Sequence, residues 1–149
     1  MTARQYLMEV IKIKERIANL NEDVEALRTR AEGLKAITYD KDRVQTSPED
    51  KMPDYAVRIV QIREEMEASI VECFEAIRER EELIDKVGSP KQREVLRWRY
   101  IKDNDGRQYY FSEIADEMGM VNTSSAINLH KRALESFKKV MNGNTMKHL

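Results

Sequence analysis

The chain has 149 residues, of which 36% are charged, 41% hydrophobic and only 7% aromatic, with 5 Gly, 3 Pro and 1 Cys. One Cys excludes an intramolecular disulfide framework and a Cys-based zinc finger, and the scarcity of Gly and Pro excludes collagen-like, linker-like and turn-rich β-sandwich classes. Net charge is -1, but residues 1–87 carry 15 Lys/Arg against 20 Asp/Glu while residues 88–149 carry 11 against 7, so a polyanionic partner is expected at the C-terminal end.

The first segment reads as one long helix. Val10, Ile13, Ile17, Leu20, Val24, Leu27, Ala31 and Leu34 recur at alternating steps of three and four, and Ala3 and Tyr6 extend the series backward. These are the a and d positions of a heptad repeat, and a stripe this narrow needs a partner helix. Gly33 predicts fraying near the end. Residues 38–53 form a connector, with two possible starts for the next helix, one at Ser47-Pro48 and one at Pro53. The second helix is expected over about 54–87, with Tyr55, Ile59, Ile62, Met66, Ile70, Cys73, Ile77, Ile84 and Val87 inward and a slip of the heptad register between Met66 and Ile70. Residues 1–87 are therefore expected to form an antiparallel coiled-coil hairpin that joins copies of the chain into a homo-oligomer, a dimer in the first instance, through residues 3–87.

Gly88-Ser89-Pro90 separates the hairpin from a second unit over 88–142. Ser89 reads as an N-cap with Pro90 at the first helical position, opening the helix PKQREVLRWRYI. Asp103–Gly106 is a turn. Ser112 is the expected cap of the short helix SEIADEMG, and Gly119 takes its C-cap place. Thr123 or Ser124 is the expected cap of the last helix, whose inward residues are Ala126, Leu129, Ala133 (or Leu134), Phe137 and Val140–Met141. Asn142-Gly143-Asn144 is expected to stop it and leave 143–149 as a flexible tail. A helix, a turn with glycine and a basic helix make a helix-turn-helix pattern, with Ala115 permitting close approach. Ser124, Ser125, Asn128, Lys131 and His130 would then face outward to contact base edges, with Arg107, Arg132, Lys138 and Lys139 as phosphate contacts.

The stretches PKQREVLRWRYI, FSEIADEMGM and INLHKRALESFKK resemble the C-terminal, −35-reading region of bacterial sigma-70-type factors, over about 55 of the 149 residues. The whole layout is similar to that of phage and prophage late-gene regulators of the ArpU/RinA type. The resemblance implies a transcription regulator of a bacterial cytoplasm, with double-stranded DNA as one partner and RNA polymerase as a second. Ser124-Ser125-Ala126-Ile127 stand where sigma factors usually carry Arg and Glu, and Gly119 to Ala133 is one residue longer than the sigma spacing. No counterpart of the −10-melting region is present, so the resemblance implies an accessory activator.

No phosphate-cradling GxxxxGK[ST], GxGxxG or HExxH motif occurs, and the only histidines are His130 and His148, so neither a cofactor nor catalysis is expected. No run of 18 apolar residues occurs, so no membrane span is expected. Two other functions fit the same pattern: a small terminase-like DNA-packaging protein and a protein-only helical adaptor.

Overall fold

The computed structural model describes residues 1–40 and 52–147. Every regular element among them is helical. Helix α1 spans Ala3–Asp40, α2 Met52–Ile84, α3 Pro90–Leu96, α4 Phe111–Glu117 and α5 Thr123–Lys147. The all-α expectation is met over these residues.

Several boundaries differ from the sequence reading. α1 passes through Gly33 to Asp40, and α5 passes through Asn142-Gly143-Asn144 to Lys147, so neither glycine ends its helix. One helical Gly costs about 1 kcal/mol relative to Ala, which a long helix absorbs. α2 begins at Met52 with Pro53 in its first turn, so the connector is shorter than 38–53; the alternative start at Ser47-Pro48 lies outside the described residues.

The heptad of α2 does not slip. Its inward positions are Ile62, Met66, Ser69, Cys73, Ala76, Arg80 and Leu83, at strictly alternating steps, with Ser69 and Arg80 as polar members. Ile70, expected inward, is exposed. Ser69 is polar, so the apolar pattern alone points to its neighbour Ile70.

The chain divides into two compact units, residues 1–15 with 72–149 and residues 16–71. The boundary expected between 87 and 88 falls inside the first. Among the described residues of the unit 16–71, Val24 and Ile62 are the most deeply buried side chains. In the other unit, one core joins Leu7 and Ile11 of α1, Leu83 and Ile84 of α2, Val87, Val95 and Leu96, Tyr100, Ile114, and Ala126, Leu129, Ala133 and Phe137 of α5. Leu7 and Ile11 lie beside the heptad stripe and are buried because the first turns of α1 are covered on a further side. The Tyr6 ring stacks on Phe137, with centroids 6.2 Å apart, and Lys14 Nζ donates to the Ile101 carbonyl at 2.7 Å.

The start of α1 and the end of α2 run antiparallel. Tyr6 Oη donates to Glu79 at 2.8 Å, and Arg80 donates to the Tyr6 carbonyl at 3.1 Å while pairing with Glu9. The Arg80 guanidinium lies 3.9 Å from the Tyr6 ring centroid. A buried arginine is tolerated only when its donors are met, as they are here. The Cys73 thiol, about two turns before Arg80 on α2, is buried, and burial pushes its pKa up, so it behaves as a small core residue.

α3 begins as expected, with Ser89 Oγ accepting from Gln92 N–H and Pro90 at N1. It continues as a π-helical turn over Arg97–Ile101, closed by Lys102 N–H donating five residues back to Arg97 at 2.8 Å. Tyr100, on that turn, is fully buried.

Candidate nucleic-acid interface

α4 is capped from within. The N-cap is Tyr110 rather than Ser112, and the Glu113 carboxylate reaches back to accept from Tyr110 N–H at 2.9 Å. Glu113 also takes both terminal nitrogens of Arg107, each at 3.0 Å. The Arg107 pair, then the Tyr110 N–H, hold the Glu113 carboxyl below its ordinary range, and the same pair raises the Arg107 pKa. Arg107, expected to meet phosphate, already has a bidentate carboxylate partner.

The turn after α4 requires glycine. Met120 N–H donates to Ala115 carbonyl at 2.8 Å and Gly119 N–H to Asp116 at 3.2 Å, the paired bonds of a Schellman motif. Gly119 sits at φ +67°, in the left-handed region that favours glycine.

α5 is capped by Asn122, not by Thr123 or Ser124. Its Oδ1 accepts from both Ser125 N–H and Ser125 Oγ, each at 2.9 Å. Asn is among the strongest N-caps, and the sequence signal was an Asn directly before the Thr-Ser-Ser run. Asn122→Ala is expected to cost about 1 kcal/mol of stability, measured as a shift of the urea midpoint; no shift would mean that the cap contributes nothing. The cap also engages the Ser125 hydroxyl proton, leaving Ser125 less free than the sequence reading assumed.

Beyond the cap, α5 sorts its residues by side. Ala126, Leu129, Ala133 and Phe137 are buried as expected, and Leu134, Val140 and Met141 pack partly against the same core. Ile114 and Ala115 of α4 are buried, with Met118 partly so. Ser124, Asn128, Lys131, Arg132, Lys138 and Lys139 are all exposed, whereas Ser125 is half-buried. At about 100° per residue the six exposed side chains span an arc of about 120°, shared by one acid, Glu135. Among the described residues none of the four cations in that arc makes an ion pair. The polar arc at the start of the helix and the cationic one further along therefore form one continuous face.

His130 is a correction. It was expected outward and is buried, with Nε2 and Tyr100 Oη 2.7 Å apart and the Phe111 ring centroid 5.0 Å from its own. It lies on the core side of α5, where polarity alone had suggested solvent. Burial, then the positive charges of Arg99 and Arg4, lower its pKa to about 4.

The described residues contain no helix long and apolar enough to cross a membrane and no group of three His, Cys, Asp or Glu able to hold a metal. Residues 33–137 match the model of a family described as protein of unknown function (DUF1492). No curated protein and no solved structure matches the chain.

Proposed function

The chain belongs to the DUF1492 family, whose description carries no activity, and from its surface chemistry we propose that it is a phage-type transcription regulator that binds duplex DNA. In this reading α4, the Gly119 turn and α5 act as a sigma-like helix-turn-helix, and α5 enters the major groove. The observation that carries the reading is the exposed face of α5, where Ser124 and Asn128 precede four cations that make no ion pair among the described residues. Asn128 has the amide geometry for a bidentate pair with adenine, and Lys131 is a donor suited to guanine or phosphate. Arg132, Lys138 and Lys139 supply the phosphate charge that sets affinity without reading sequence. Val57 and Val60, both exposed on α2, support self-association through the N-terminal helices. The resemblance to sigma factors supports RNA polymerase as a second partner in a bacterial cytoplasm, and the reading assigns no catalysis.

The test is duplex binding across a salt series, on a site first identified by genomic footprinting. Lys139→Ala is expected to weaken binding on every sequence and lower the salt slope by about one. Asn128→Ala is expected to cost about 1–3 kcal/mol on the footprinted site and little on random duplex. Absence of binding above background at about 0.1 M salt would replace the regulator with a protein-only adaptor.

A further inference from the structure

Beside the exposed face of α5 lies a cleft of about 340 Å³, bordered by the start of α3, the turn after α4 and α5 itself. Met118, Met120, Val121 and Leu129 make its apolar lining, and two cations border it from different elements, Lys91 on α3 and Arg132 on α5. Both are exposed, and neither makes an ion pair among the described residues. Arg132 is four residues after Asn128, so the side chain bordering the cleft neighbours the one assigned to base reading.

A helix with its side chains is about 10–12 Å across, and the major groove of B-DNA is about 12 Å wide. A helix seated there leaves its flanks against the sugar-phosphate rims. The cleft is such a flank, with free positive charge and an apolar lining that suits the sugar edge. We propose that it seats one strand of the DNA backbone, with Lys91 and Arg132 contacting phosphates. The inference rests on the DNA-binding reading and adds α3, and Lys91 in particular, to the interface. Glu94 also borders the cleft, with the wrong sign for phosphate. Its carboxylate opposes the bound strand, which gives the test a second direction.

The experiment uses the full chain and a fluorescent pool of random duplexes about two helical turns long, with anisotropy read across a salt series and helicity checked by circular dichroism. Lys91→Ala is expected to weaken binding several-fold and lower the salt slope by about 0.9. Glu94→Gln is expected to tighten binding. If both variants bind as wild type while Lys139→Ala is weakened, the cleft is off the DNA and the inference falls with the DNA-binding reading intact; an acidic apolar peptide then becomes its occupant. If the wild type fails to bind the pool even at about 0.05 M salt, the DNA-binding reading falls and takes the inference with it.

Discussion

Phe137→Ala is expected to destabilise the fold by about 3–5 kcal/mol, the usual cost of deleting a fully buried aromatic ring. Phe137 is 0% exposed and stacks on Tyr6, so the ring links α5 to α1 as well as filling the core. Much of a small domain's total stability lies within that range, so an unfolded or aggregating variant is a realistic outcome. Urea unfolding of the wild type and Phe137→Leu gives a measurable comparison if the alanine variant does not fold. Lys138→Ala, next in sequence but exposed, is expected to stay within about 0.5 kcal/mol. A loss below about 1 kcal/mol for Phe137→Ala would mean that α1 is not held by this contact.

The second large effect is a loss of stability in acid. In the unfolded chain His130 titrates near its ordinary value of about 6.5. In the fold its pKa is lowered to about 4, because protonation would place a charge beside Tyr100 and Phe111 with Arg99 and Arg4 nearby. Between those two values the unfolded state binds more protons than the folded one. The contribution of neutral His130 is therefore fully present above pH 6.5 and is lost as pH falls towards 4. After allowance for solvent screening the loss is on the order of 2–3 kcal/mol. Glu113, whose carboxyl is held below its ordinary range, loses its own contribution in the same direction at lower pH. The two are separated with His130→Gln, which keeps a polar group near Tyr100 and cannot charge. Its stability is expected to vary much less than that of the wild type between pH 7 and pH 4.5. Equal dependence in both proteins would remove His130 as the cause.

The helices and their inward faces were largely legible in the sequence, because burial follows the 3.6-residue period. Ala126, Leu129, Ala133 and Phe137 were read correctly on that ground, as was the Ser89-Pro90 start. The errors have particular physical causes. His130 and Ser69 are polar, and a polar residue at an inward position is indistinguishable from a register shift until its hydrogen-bond partner is known. Tyr100 is that partner for His130, thirty residues away. The N-caps of α4 and α5 fell elsewhere than expected because several residues near each of these helix starts can cap, and only backbone geometry selects among them. The widening of α3 into a π-turn leaves no local signature in the sequence.

The candidate interface was legible to a similar degree. Period alone located the exposed arc from Ser124 to Lys139. It gave no sign that Glu113 would occupy Arg107, or that Asn122 would engage Ser125. Lys91 went unnoticed because its closeness to Arg132 is a product of tertiary packing, which spacing along one helix does not carry.

The Tyr6–Glu79, Lys14–Ile101 and Met8–Gln108 contacts join residues 73, 87 and 100 positions apart. Leu7 and Ile11 are therefore covered by residues far from them in sequence. Bringing distant ends together through an unstructured loop carries a conformational cost that grows with loop length. A core assembled from such distant segments is expected to fold more slowly than a helical bundle of the same size whose contacts are mostly local.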